Sequence, residues 1–135
     1  QRLADGPLTA LAEGRPIWLD GGHNPDAGQQ IARAFRAHEG PLDLVIGMLA
    51  NKDPAALLAP LAEVLGERLA SVQVVPVPGH DCHNAAAFAA VNAGPAPVPA
   101  GDLSAAVSTT RHPVLIAGSL YLAGEALRLN DEWPT

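Results

Sequence analysis

The sequence predicts an α/β domain of three layers, in which a mainly parallel sheet is covered by helices on both faces. Short apolar runs alternate with helical patterns along the chain, an order typical of βαβ units. Aromatic residues make up only 4% of the 135 residues, so the core must be aliphatic. Hydrophobic residues at 48% and charged residues at 16% exclude a disordered chain.

Four apolar runs have the length and β-branching of strands buried on both faces. They are residues 17–19, 42–46, 72–77 and 114–117. Pro76 removes a ladder donor from the third run, so we expect that strand to end near it or to lie at a sheet edge. The proline-rich segment 93–101 is predicted to be a loop, with at most a short edge strand around Val98.

Two helices are predicted from a cap residue followed by proline, which is preorganised for the first helical position. These pairs are Asn24 with Pro25 and Asp53 with Pro54. The first apolar stripe runs to Phe35, and Gly40 then ends the helix. Pro60 falls inside the second apolar stripe, so it is expected to bend or split that helix.

Three further helices are predicted towards the end of the chain. Asn84 can cap an alanine-rich segment that runs through Val91, and Asp102 or Ser104 can cap a shorter helix. Ser119 opens the last helix, which carries apolar residues on two neighbouring faces. These faces are Leu120, Ala123 and Leu127, and Leu122, Ala126 and Leu129. Such a helix is expected to be sandwiched between other elements. The whole order predicts a Rossmann-like domain.

Charge and cysteine content restrict the class of protein. The net charge is −6 and Lys52 is the single lysine, which argues against a surface that neutralises nucleic-acid phosphates. One cysteine cannot form an internal disulfide, and no apolar run is long enough to span a membrane, so we expect a cytoplasmic protein. The chain begins at Gln1, and we expect a single domain over residues 1–135, cut from a longer protein, with its core at about 15–130.

Polar and glycine residues follow each predicted strand, at the edge where α/β sheets bind ligands. Asp20 could accept hydrogen bonds from a ribose or an ammonium group, although aspartate is also common in turns. His23 could carry a proton beside two glycines, or it could be a solvated loop residue. Lys52 could place a positive charge beside a phosphate or carboxylate. Ser119 could hold an anion at a helix N-terminus or simply cap that helix.

The group His80, Asp81, Cys82 and His83 contains side chains that zinc accepts. Four adjacent residues rarely converge on one ion, so a solvated turn capped by Asn84 is the favoured interpretation and no metal site is assigned. No phosphate loop, dinucleotide-binding glycine pattern or nucleophile elbow occurs in the sequence.

Three segments in order resemble signatures of one enzyme family. They are D-G-G-H-N-P at residues 20–25, G-M-L-A-N-K-D at 47–53 and G-S-L-Y-L-A-G-E at 118–125. The sequence is similar to the carboxy-terminal domain of folylpolyglutamate synthase/dihydrofolate synthase, within the Mur ligase superfamily. The resemblance runs from about Arg15 to Leu129. The family pattern usually reads D-G-A-H-N-P, so Gly22 is a departure from it.

The resemblance implies an ATP-dependent acid–amino-acid ligase of folate biosynthesis and one-carbon metabolism. In this family ATP phosphorylates a pteroate or folate carboxylate, and the amine of L-glutamate attacks the acyl phosphate. A larger amino-terminal domain binds most of the ATP and Mg²⁺, together with the pteroate, and it is absent from this sequence. The isolated chain is therefore expected to be inactive, and the full enzyme to be either a dihydrofolate synthase or a polyglutamate-extending enzyme, or both.

The resemblance also implies roles for single residues. Asp20 would contact the nucleotide ribose, with Asn24 and Lys52 as further nucleotide-binding candidates. His23 and Ser119 would place glutamate and the reacting groups, and we assign them as catalytic. Arg2 lies near the place of a family arginine that contacts ATP, but it cannot be aligned with it.

Two other functions are compatible with the residues alone. One is a free-standing α/β module that binds a small anion or nucleotide without catalysis. The other is a zinc-dependent hydrolase centred on residues 80–83, for which near-stoichiometric zinc would be expected in the purified protein.

Overall fold

The computed structural model describes residues 1–133 of the chain, which form a five-stranded sheet and six α-helices. The strands are β1 Ile17–Asp20, β2 Leu42–Ile46, β3 Leu69–Val74, β4 Val98–Pro99 and β5 Val114–Ala117. The helices are α1 Pro7–Leu11, α2 Pro25–Phe35, α3 Ala55–Leu65, α4 Ala85–Ala89, α5 Leu103–Ser108 and α6 Leu120–Leu129. None of the helices among the described residues has the length and apolarity that crossing a membrane requires.

The strand order is β1-β5-β2-β3-β4, and every pair of neighbouring strands is parallel. Asp20 at the end of β1 pairs with Ala117 of β5, and Ile46 at the end of β2 pairs with the same residue. The carboxyl ends of these three strands therefore lie side by side. The predicted parallel α/β architecture is confirmed.

Helices cover both faces of the sheet because side chains alternate between the faces along each strand. One core cluster joins the sheet to α2, α3 and α4 through residues such as Ile31, Leu57 and Phe88. The other joins it to α1, α5 and α6 through residues such as Leu8 and Leu122. The three-layer arrangement is the predicted one.

The third and fourth strands differ in detail from the prediction. β3 begins at Leu69, three residues before the predicted run, and ends at Val74, short of Pro76. The alternation of buried and half-exposed residues at the start of β3 hides it from a search for continuous apolar runs. Val98 does form a two-residue edge strand, which pairs with Gln73.

Pro60 lies inside α3, which runs unbroken from Ala55 to Leu65, so of the two expected effects of this proline, a bend or a split, the split does not occur. Proline removes the hydrogen bond to the carbonyl four residues earlier, which here belongs to Ala56. That carbonyl faces Gly28 of α2, where an added Cβ would overlap the oxygen. The two helices therefore cross with their backbones in direct contact, and this packing stabilises α3 across the proline.

Residues 1–14 pack against the rest of the described structure, with Leu3, Leu8 and Ala12 buried in one of the two core clusters. Residues 1–3 pair antiparallel with the outer edge of β1, through hydrogen bonds of Gln1 and Leu3 to that strand. The side chain of Asn130, which is 2% exposed, accepts hydrogen bonds from Leu8 N and Thr9 N at 3.0 and 3.2 Å. These bonds join the beginning of the chain to the end of α6.

Helix α6 is an outer helix with one buried face, and the prediction that it would be sandwiched was wrong. Leu122, Ala126 and Leu127 are buried, whereas the side chain of Leu120 is 72% exposed. The face formed by Leu120, Ala123 and Leu127 borders a groove beside β1 instead of another helix. Periodicity identifies both apolar faces but does not show which of them another element covers.

Candidate functional site

Glycines allow the loops after β1, β2 and β5 to pack closely at the carboxyl edge of the sheet. A Cβ at Gly118 would lie 2.5 Å from the carbonyl oxygen of Gly47, and one at Gly21 would lie 3.2 Å from the Cα of Leu120. Gly118 also has φ of +116°, a conformation that side chains disfavour. The three motifs, separate in the sequence, therefore meet at one place.

Asp20 ends β1 and is half-buried, and its Oδ1 accepts a hydrogen bond from Gly22 N at 2.8 Å. One carboxylate oxygen therefore shapes the turn, and the second has no hydrogen bond among residues 1–133. Local packing explains the glycine at position 22, because a Cβ there would overlap the Cβ of Ala27 in the first turn of α2. An alanine at position 22 would therefore clash with Ala27, and this clash accounts for the departure from the family pattern.

His23 is half-buried, and its Nδ1 is inaccessible to solvent and has no hydrogen-bond partner among the described residues. A buried polar atom without a partner costs free energy, so it needs a physical explanation such as a ligand that supplies the bond. The next residue, Asn24, is exposed, and its Oδ1 caps α2 by accepting from Ala27 N at 2.8 Å. Its amide nitrogen remains available to a ligand.

Ser119 is 2% exposed, and its Oγ caps α6 by accepting from Tyr121 N at 3.1 Å and Leu122 N at 3.4 Å. The capping interpretation is therefore correct, and it leaves the hydroxyl hydrogen free. Within residues 1–133 no acceptor binds that hydrogen, so the hydroxyl can donate to an anion at the helix N-terminus.

Lys52 lies in the loop after β2, half-buried, with its backbone N bonded to Leu49 O at 3.0 Å. Asp53 Oδ1 accepts from Ala55 N at 3.0 Å and so satisfies the first turn of α3. Because β5 separates β1 from β2, the strand ends that carry Asp20 and the Lys52 loop are about 10 Å apart. This spacing allows residues at the two strand ends to contact different parts of one ligand.

The residues of the 80–83 group do not converge on a common point. The ring of His80 stacks on Tyr121, whereas the Nε2 of His83 faces the carbonyl oxygen of Lys52. Among residues 1–133 no set of three or more His, Cys, Asp or Glu side chains is placed to hold a metal ion. The zinc alternative therefore lacks the geometry that it requires.

Two grooves flank the edge strand β1, and Asp20 lines both of them. One, of about 420 Å³, runs between β1 and the exposed face of α6, past Gly21 and Leu120. The other, of about 560 Å³, lies on the opposite face and is lined by Trp18 and Phe35. His23 and Ser119 line neither groove.

Two contacts at this edge escaped the sequence interpretation. His80 and Tyr121 stack with ring centroids 4.0 Å apart, and the ring of His83 packs edge-on against buried Phe88 at 6.2 Å. The four-residue group was the available signal, but the sequence favours a solvated turn there, with zinc binding as the alternative, and not contacts to the neighbouring loops.

The fold is similar to that of solved folylpolyglutamate synthases. The Thermotoga maritima enzyme matches with a TM-score of 0.78 at 22% identity, over 97% of this chain and 30% of that one. The Mycobacterium tuberculosis enzyme, solved with ADP and AMPPCP, matches with a TM-score of 0.72 at 25% identity, over 98% of this chain and 34% of that one.

The bifunctional folylpolyglutamate synthase/dihydrofolate synthase of Yersinia pestis matches with a TM-score of 0.71 at 23% identity, over 95% of this chain and 30% of that one. The chain therefore spans about a third of the length of the structures it resembles. Protein-family models and curated proteins give no match to the sequence. The resemblance that the three motifs predicted is confirmed in the fold.

Proposed function

We propose that the chain is the carboxy-terminal domain of an ATP-dependent ligase that joins L-glutamate to a pteroate or folate carboxylate. The observation that carries the proposal is the meeting of three motifs at the carboxyl ends of β1, β2 and β5. The fold supports it, since relatives with the same fold are folylpolyglutamate synthases, one of them solved with ADP and AMPPCP.

In this proposal the residues at the carboxyl edge of the sheet position the nucleotide and the substrates and interact with their charges. They form no covalent intermediate. The free oxygen of Asp20 accepts from a nucleotide ribose hydroxyl, and Lys52 and Asn24 contact the nucleotide. The Ser119 hydroxyl and the first amides of α6 hold a carboxylate, as anions favour helix N-termini. His23 orients the incoming amine and the reacting carboxyl group. Holding two reactants in line accounts for a large share of catalysis in such reactions.

Magnesium fits this part of the enzyme poorly. A Yersinia pestis relative was solved with AMPPNP and Mn ion. Among residues 1–133 of this chain no cluster of acidic and histidine side chains can hold a cation. The metal would therefore be held by the nucleotide phosphates and by a further domain, and no step is assigned to it here.

A free-standing binding module is the second candidate. The same polar residues at the carboxyl edge could bind a small anion or nucleotide without catalysing a reaction. The test is ATP-driven phosphate release with dihydropteroate and L-glutamate. It is measured on this chain alone and on the chain joined to the segment encoded upstream of Gln1. We expect turnover only from the joined protein, because the chain has no phosphate loop.

Each outcome separates the candidates. Turnover by the joined protein alone supports a ligase whose closing domain is this chain. Turnover by the chain alone contradicts the proposal, since it would place the whole reaction on this edge. Nucleotide binding without turnover in either protein favours the binding module.

A further inference from the structure

The turn formed by residues 80–84 is hydrogen-bonded to the loop that carries Lys52. Ala50 N donates to Asp81 O and His83 N donates to Met48 O, both at 3.0 Å. Together these bonds form a short antiparallel bridge between Leu49 and Cys82. The loops after β2 and β3 are therefore joined to each other through their backbones.

The side chain of His83 adds a contact to the backbone of Lys52 itself. Its Nε2 lies 2.5 Å from Lys52 O. A carbonyl oxygen can only accept, so Nε2 carries the hydrogen in both the neutral and the protonated ring. Lys52 N is bonded to Leu49 O, so hydrogen bonds fix the backbone of Lys52 on both sides.

The imidazole of His83 is held in turn by the core. It packs edge-on against Phe88 of α4 at an interplanar angle of 84°, and Phe88 is fully buried. Three residues earlier, the ring of His80 stacks on Tyr121, whose backbone N donates to Ser119 Oγ. The same turn therefore contacts the loop of one motif and the helix start of another.

We propose that His83 is a positioning residue, which holds the backbone of Lys52 and thereby places the side-chain ammonium group of the chain's single lysine at the carboxyl edge. The hydrogen bond to Lys52 O couples the loop to the buried ring of Phe88. The contribution of Lys52 to binding an anionic substrate rests on the proposed function, whereas its placement by His83 does not.

The placement is tested in this chain by amide hydrogen exchange, with His83→Phe, His83→Gln and His38→Phe. Phenylalanine keeps the ring but removes the donor, whereas glutamine keeps a donor. His38 is the matched control, because its Nε2 also faces a backbone carbonyl, that of Pro41 at 3.5 Å, on another loop. In His83→Phe we expect exchange at Ala50 and Lys52 to accelerate about ten-fold, the equivalent of one hydrogen bond, with Ile116 unchanged.

His83→Gln should restore most of the protection, and His38→Phe should leave the loop unaffected. Unchanged exchange at Ala50 and Lys52 in His83→Phe would overturn the proposal. So would equal acceleration in the phenylalanine and glutamine variants. A ring nitrogen spectrum adds a direct signature, because neutral His83 must carry its proton on Nε2, and a proton on Nδ1 would contradict the assignment.

The joined protein tests the consequence for binding. Loss of the donor in His83→Phe should raise the KM for ATP about ten-fold and leave kcat within about two-fold, with recovery in His83→Gln. Faster exchange without a change in KM would overturn the binding role of Lys52 while the positioning by His83 stands. A joined protein with no activity would contradict the proposed function, and the exchange measurements would still decide the placement.

Discussion

Polar groups at the two ends of the sheet differ in how completely they are hydrogen-bonded within the fold. At the amino end, Asp43 is 3% exposed and accepts hydrogen bonds from Ser71 Oγ at 2.6 Å and from Arg111 N and His112 N at 2.9 Å each. Arg15 there donates to Thr110 and to His112 O. Each of these charged groups is bonded within the fold.

At the carboxyl end the polar groups keep unused bonding capacity. His23 has a buried Nδ1 without a partner among residues 1–133, and one oxygen of Asp20 and the Ser119 hydroxyl hydrogen are also free. Bonded buried groups stabilise a fold, whereas a buried polar group left unbonded costs stability. The comparison is consistent with an amino end that maintains the structure, and it supports the proposal that the carboxyl end binds ligand.

The largest expected effect is at the amino end. Asp43→Ala leaves a hydroxyl and two backbone amides without an acceptor, so we expect the free energy of unfolding to fall by about 3 kcal/mol or more. Ser71→Ala, which removes one of the three donors, should cost about 1 kcal/mol. Chemical denaturation of both variants checks this. A loss below about 1 kcal/mol for Asp43→Ala would mean that the amino end does not depend on this network.

The second effect concerns α2, the helix that begins at the carboxyl end. Gly28→Ala places a Cβ on the carbonyl of Ala56, and we expect a loss of about 2 to 3 kcal/mol as α2 and α3 separate. Gly124→Ala is the matched control, because Gly124 is also helical but has no atom within 4 Å of the added Cβ. That variant should gain about 0.5 to 1 kcal/mol in a denaturation experiment. Equal effects in both variants would refute the close crossing.

A smaller effect of opposite kind is expected at His23. His23→Phe removes a buried nitrogen that has no partner, so stability should stay constant or rise by up to about 1 kcal/mol. Thermal and chemical denaturation of the chain measure it. A loss of more than about 1 kcal/mol would show that the imidazole has a structural role, and the contrast between the two ends would fail at this residue.

The smallest effect is expected at an exposed ion pair outside both ends. The hydrogen bond from Arg128 to Glu125, 2.6 Å long, lowers the pKa of the Glu125 carboxyl, and partial burial opposes this. A lowered folded-state pKa contributes stability above the unfolded-state pKa, and the contribution is lost as pH falls through the folded-state value. Glu125→Gln should therefore be slightly less stable than the parent near neutral pH and equal to it in acid. A stability difference between Glu125→Gln and the parent that is larger in acid than at neutral pH would contradict a lowered pKa of Glu125.

Local patterns predicted the layers, the strands and most helix starts, because these depend on neighbouring residues. The capping oxygens of Asn24, Asn84, Asp102 and Ser119 all accept the expected backbone amides. Features that depend on distant residues were missed. The continuous helix α3 packs on Gly28 of a separate helix, and α1 is bonded to the side chain of Asn130 near the other end of the chain.

The candidate site was predictable as a set of motifs but not as a network. Parallel strands bring their carboxyl ends together, so the meeting of Asp20, Ser119 and the Lys52 loop follows from strand order. The contact between His83 and Lys52 O depends on how two loops pair. No periodicity in the sequence encodes that pairing, and the residue types at 80–84 favour a solvated turn, with a zinc site as the alternative.

The central claim is that the carboxyl end acts in the reaction and the amino end maintains the fold. The most direct test is phosphate release by the joined protein in two variants, His23→Phe and Asp43→Ala, with each rate corrected for the folded fraction. We predict that His23→Phe folds fully and loses about a hundred-fold in turnover, whereas folded Asp43→Ala keeps the parental rate. Parental turnover in His23→Phe, or a comparable loss in folded Asp43→Ala, would contradict the account.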